Sequence, residues 1–144
     1  MIKIIPDHRH GDIYDLPTEV QWEFVMRNRR NEVTEVSAHQ YGWLKENSNG
    51  KTHAVAQLLP LIIEGQSFYD MIGNVVHWNR DYYNFDLRNK PDLSSKERAY
   101  IDSRRGTHGS SFHDKASAEL DIQTASALYD KYDYVGFRLV KTRP

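Results

Sequence analysis

The stretch Ser67-Phe68-Tyr69-Asp70-Met71-Ile72-Gly73-Asn74-Val75-Val76-His77-Trp78-Asn79-Arg80-Asp81-Tyr82-Tyr83 decides the fold of this chain. Gly73 and Asn74 are residue types that tolerate positive φ, so side by side they predict a tight backbone turn. The residues that follow, Val75 to Trp78, predict a strand leaving that turn with Trp78 buried in the core. A turn feeding a core strand is therefore the centre of the domain.

Working outward, Thr18 with Gln21 three residues later forms the signature of a capping box, and Glu19 suits the first turn of a helix. The helix is expected to start there and to bury Val20, Phe24 and Val25, with Arg27, Arg29 and Arg30 as a solvated basic end. Residues 1–5 are apolar and β-branched, a short strand closed by Pro6. His8 and His10 share one side of an extended segment, which makes a divalent-metal site conceivable, but two His without a third fixed ligand read as a solvated loop. Tyr41 and Trp43 in a polar loop are expected to pin it to the core rather than to stack on a ligand. The apolar run 58–63 fits either burial within the domain or contact with another chain, including a second copy. Residues 85–105 read as a long polar surface loop with one helical turn from Ser94, and residues 135–141 as a final strand.

Bulk properties narrow the function classes. At 144 residues the chain is expected to be one domain, residues 1–144. Its 19 Lys and Arg against 20 Asp and Glu leave a formal charge of -1, so no global field recruits nucleic acid or a membrane surface. With 0 Cys, disulfides, thiolate metal ligands and thiol catalysis are excluded. Residues 1–6 are too short for a signal-peptide core, which gives a cytoplasmic expectation.

The central stretch resembles the core motif of the formylglycine-generating enzyme, or sulfatase-modifying-factor, family. Leu16-Pro17-Thr18-Glu19-Val20-Gln21-Trp22-Glu23-Phe24 is similar to its "LPTEAEWEY" helix start, and Asn47-Ser48-Asn49-Gly50-Lys51-Thr52-His53 to its "NSGGKTH" run. Gly109-Ser110-Ser111-Phe112 stands where the family has "GGSW", and Val135-Gly136-Phe137-Arg138-Leu139-Val140 matches "VGFRLV". The resemblance implies an α+β, C-type-lectin-like fold: a twisted antiparallel sheet, two or fewer helices and long loops. Family members carry more chain before the helix motif, so either residues 1–5 close a minimised sheet or a second copy completes it.

The family's oxidase chemistry needs copper on two cysteines after "GGSW", and residues 113–119 hold none, so copper and that activity are not expected. Many members bind calcium, and the resemblance maps its ligands onto Asp70, Gly73 and Val75. His77 stands where a further Glu belongs, which weakens the site. The expected function is a non-catalytic binding or display module for a protein or small-molecule ligand, as in the variable proteins of diversity-generating retroelements. Its contact residues would be His113, Asp114, Lys115, Tyr129, Asp130, Tyr132 and Tyr134, because Tyr and Asp give amphipathic contacts at low entropy cost. The alternatives are a cysteine-independent tailoring enzyme using His77, His108, His113 and Asp114, or a structural subunit.

Overall fold

The computed structural model describes residues 12–28, 33–82, 104–117, 123–127 and 130–142. The predicted strand at residues 1–5, the His8 and His10 pair, Arg29, Arg30, most of the 85–105 loop and Tyr129 lie outside the described residues. Among the described residues, no helix is long and apolar enough to cross a membrane.

The capping box forms as the sequence predicts. Gln21 N donates to Thr18 Oγ1 (3.2 Å) and Thr18 N to Gln21 Oε1 (2.9 Å), which starts helix α1, Glu19–Arg27. Its buried face differs from the expected one. Trp22, Val25 and Met26 point inward, whereas Val20 is 76% and Phe24 49% exposed. Trp22 sets the phase because it carries the largest apolar surface and an N–H that needs a buried acceptor, and Val25 and Met26 follow at i+3 and i+4.

A second, short helix, α2 (Ala38–Tyr41), leads into β2 (Gly42–Trp43), which pairs in parallel with β5 (Ile72–Gly73). Gly42 and Gly73 make that pairing sterically feasible. A Cβ on Gly42 would stand 2.1 Å from the Ile72 carbonyl oxygen, and one on Gly73 would stand 2.2 Å from that of Trp43. The turn at Gly73 (φ 65) and Asn74 (φ 61) has the predicted left-handed geometry.

Between these lies a hairpin of β3 (Leu61–Ile63) and β4 (Gln66–Phe68), joined by Glu64 and Gly65, both at positive φ as a two-residue hairpin loop requires. The apolar run 58–63 is thereby divided by strand alternation, with Leu61 and Ile63 in the core and Leu59 and Ile62 exposed. Tyr41 packs against the core, and Trp43 stacks on His53 at 3.8 Å.

The largest sheet has the order β8 (Gln123–Ala127), β7 (Arg104–His108), β6 (Val76–Tyr82), β9 (Val135–Gly136). Its first two pairings are antiparallel, and β9 joins β6 in parallel. The expected single strand at 135–141 is split, because β10 (Val140–Thr142) pairs instead with β1 (Ile13–Asp15). Trp78 is only half-buried, against expectation. Alternation along β6 sends His77 and Asn79 toward the helix and Trp78 to the other face. The ladder with β7 slips between Trp78 and Tyr82, and in that slip Arg80 N bonds to Pro17 O (2.9 Å) while Asp81 accepts from Glu19 N (2.6 Å). The irregularity thus ties β6 to the start of α1.

Candidate functional site

A cavity of about 530 Å³ opens on the face of the sheet away from α1. Its floor is formed by Gly109, Ser110 and Ser111, and the central motif holds the turn they make with Phe112. Gly73 N donates to Ser110 Oγ (3.0 Å), Phe112 N donates to Asn74 O (3.1 Å), and Ser48 Oγ donates to Phe112 O (3.1 Å). Asn74 is the junction, since its side chain also accepts from His53 N (3.0 Å) and donates to His53 O (3.1 Å). The Gly-Asn pair therefore does more than turn the chain: it fixes three loops relative to one another.

Asp114 closes the floor. Its Oδ2 accepts from both Ser111 N (2.7 Å) and Ser111 Oγ (2.8 Å), while its carbonyl accepts from Lys45 N (2.9 Å). Around it stand His113, Lys115 and Ser117 on one side, Thr124 and Ser126 of β8 behind, and Tyr132 and Tyr134 opposite. The two tyrosine rings lie 5.3 Å apart, and Tyr134 meets His113 edge-on at 6.1 Å. Asp133 faces His113 Nε2 at 3.7 Å, and Tyr132 OH donates to Asp130 (2.9 Å). Val76 N bonds to Tyr134 O (2.8 Å), which anchors the tyrosine loop to the sheet. The cavity thus offers hydroxyls, two aromatic faces, one carboxylate and one ammonium, a surface suited to a polar partner with an aromatic or aliphatic body.

Of the residues expected at the site, His113, Asp114, Lys115, Tyr132 and Tyr134 line this cavity together, and Asp130 reaches it through Tyr132. The hydroxyls of Ser110, Ser117, Thr124 and Ser126 were missed by sequence reasoning. The alternation in Gln-Thr-Ala-Ser-Ala, with two hydroxyls two residues apart on one strand face, is the signal that would have found the last two. His77 and His108 are not in its lining. They pair across β6 and β7 against Trp22, so the histidines expected for a tailoring enzyme are divided between two environments.

Of the residues expected to hold calcium, Asp70 is bonded within the protein. Asp70 Oδ2 accepts from Ala56 N (2.7 Å), and the Arg138 guanidinium donates to the carbonyls of Tyr69 (2.6 Å) and Asp70 (3.4 Å). Arg138, half-buried and with its pKa lowered by burial, has Asp70 as its counter-charge. His77 Nδ1, in the position of the missing Glu, accepts from Trp22 Nε1 (3.1 Å). A hard cation needs several oxygens facing one point, and two oxygens of Asp70, one of its carboxylate and its carbonyl, are engaged by Ala56 N and by Arg138.

His77 is 3% exposed, and burial lowers its pKa from 6.5 to about 3, with Arg138 adding to the depression. The folded chain therefore binds fewer protons at this site than the unfolded chain across that interval. The stabilisation is complete above pH 6.5 and is lost as pH falls toward 3, at roughly 1.4 kcal/mol per pH unit. Urea titrations from pH 8 to pH 4 are expected to show a plateau and then this decline. In His77→Gln the acid-side slope should be shallower, and an unchanged slope would refute the assignment.

Treponema denticola variable protein 1 superposes with a TM-score of 0.65 at 24% identity, over 91% of this chain and 48% of that one. The crystal structure of CarF superposes with a TM-score of 0.53 at 21% identity, over 91% and 47%. This chain spans about half the length of the solved structures it matches. A search of curated protein sequences finds no match. The sulfatase-modifying factor enzyme 1-like domain matches residues 5–143, nearly the whole sequence, and with the Gly-Asn turn, the capping box and the serine-lined turn all in place, the chain belongs to that family.

Proposed function

We propose that this chain is a single-domain, non-catalytic binding module that presents His113, Lys115, Tyr132 and Tyr134 to a protein or small-molecule ligand. The observation that carries the proposal is the separation of roles around the cavity. Ser110, Ser111, Phe112 and Asp114 are tied into the scaffold by backbone and side-chain hydrogen bonds, whereas His113 and Lys115 are exposed on its rim. A rigid floor under exchangeable contact residues is what a display surface requires. The name of the Treponema denticola protein, a variable protein, agrees with such a role, and a diversity-generating retroelement is the source of variation it suggests.

The decisive experiment is sequencing of the coding locus across related isolates, comparing residues 111–134 with the rest. Substitutions concentrated at 113, 115, 132 and 134, beside a reverse transcriptase and a template copy, are expected. A uniformly constrained interval would refute display. In the protein itself, Tyr132→Ala should change unfolding free energy by less than about 1 kcal/mol, because the side chain is half-buried at a cavity rim. A loss of several kcal/mol in chemical denaturation would make Tyr132 a core residue and sink its role as a contact.

A further inference from the structure

We propose that Glu19, Glu23 and His108 form a site for a first-row divalent cation of the zinc class, joining helix α1 to strand β7 on the side of the sheet remote from the cavity. His108 Nε2 stands 3.8 Å from Glu19 Oε1 and 3.8 Å from Glu23 Oε1, and the ligand atoms of all three residues lie within 4.8 Å of one another. The i, i+4 spacing of the glutamates puts both carboxylates on one helical face over the imidazole.

The surroundings are arranged as for a metal ligand. His108 is 1% exposed, backed by the Trp22 ring at 5.0 Å, while the glutamates are partly exposed, so the site is closed beneath and open to solvent above. Asn79 contacts His108 Nδ1 at 2.5 Å and fixes the plane of the ring. Asn79 is itself fully buried, and its Oδ1 has no hydrogen-bond partner among the described residues. Reversing the amide, whose oxygen and nitrogen are interchangeable in shape, turns that oxygen to Nδ1. The ring proton then sits on Nδ1 and the Nε2 lone pair faces the carboxylates, the tautomer a metal needs.

Charge points the same way. Glu23 Oε2 is paired with Arg27 (2.5 Å), which leaves Oε1 directed at His108. Glu19 stands beside two further carboxylates, Glu23 across the His108 ring nitrogen and Asp81, which accepts from Glu19 N (2.6 Å). A cation between the glutamates would relieve their repulsion. One imidazole and two carboxylates suit zinc, with water in the fourth position. Tetrahedral zinc ligands stand roughly 3.4 Å apart, so the two His108 distances need to close by a few tenths of an ångström and the two carboxylates to approach each other by up to about 1.4 Å, movements that two partly exposed glutamates can supply by rotation.

The test is titration of the full-length, chelator-treated protein with zinc by calorimetry, with cobalt(II) as a spectroscopic probe and thermal melts in parallel. Expected are one zinc per chain, a higher melting temperature with zinc, and the visible absorption of four-coordinate cobalt. Glu19→Gln and Glu23→Gln, both partly exposed and so expected to fold, should keep the metal-free melting temperature and weaken zinc by about tenfold or more. Absence of zinc binding would overturn the proposal, as would undiminished binding in the double variant Glu19→Gln/Glu23→Gln.

Discussion

Gly73→Val is expected to leave no folded protein at 25 °C. Gly73 sits at φ 65, a region that costs an ordinary L-residue roughly 1–2 kcal/mol and a β-branched one more. The steric problem is larger. Any Cβ would lie 2.2 Å from the Trp43 carbonyl oxygen, 2.7 Å from its carbon and 2.9 Å from its nitrogen, all backbone atoms that no rotamer change can move. Strands β2 and β5 would have to separate, breaking the bond from Asn74 N to Trp43 O (2.7 Å). Asn74 also carries the loops at His53 and Phe112, so the damage spreads to the floor of the cavity. Even Gly73→Ala meets the same backbone, so several kcal/mol are lost from a total of about 5–15.

Gly65→Ala provides the control. Gly65 also has positive φ, 76, but nothing lies within 4 Å of the point where its Cβ would stand, so the dihedral penalty acts alone at about 1 kcal/mol. Circular dichroism melts should show a small shift for Gly65→Ala and no cooperative transition for Gly73→Val. A cooperative Gly73→Val melt within about 2 kcal/mol of the parent would mean that the close β2–β5 approach is not required for folding.

The features legible in the sequence are those in which local chemistry has few solutions. A positive-φ pair calls for Gly and Asn, and a helix start calls for Thr with Gln at the third position, so residues 73–74 and 18–21 could be placed from composition and spacing alone. The cavity was legible in part for a related reason, since His113, Asp114, Lys115, Tyr132 and Tyr134 sit in two short segments that the family motifs bracket. The helical phase was not legible. Val20 and Phe24 are as apolar as Val25 and Met26, and the choice between the two stripes is made by Trp22 finding His77, 55 residues away in sequence. Nor could pattern reveal that His77 and His108 would be neighbours, because strand register is decided by tertiary pairing. The buried histidines followed from the position of Trp22, and the sequence marks neither as its partner.

Trp22→Ala is expected to be the second most damaging change, for two separable reasons. Trp22 is 1% exposed and packs on Val25, Met26 and their neighbours in the core, so truncation leaves a large void and costs about 3–5 kcal/mol. It also removes the N–H that serves buried His77 Nδ1, adding roughly 1–3 kcal/mol for an acceptor cut off from water. Together these approach the whole stability of an average domain, and the protein should be largely unfolded or aggregated. Trp22→Phe separates the two terms, because it keeps much of the apolar volume and deletes only the donor. Its loss at pH 7 should be a few kcal/mol, smaller than for the alanine variant. Burial and Arg138 hold the His77 pKa down, and Trp22→Phe keeps both, so the deficit of Trp22→Phe relative to the parent should be nearly the same at pH 7 and pH 4. Paired urea titrations of the two proteins at those pH values measure it. A Trp22→Phe deficit below about 1 kcal/mol at pH 7 would show that packing alone, and not the Trp22–His77 hydrogen bond, joins helix α1 to the central strand.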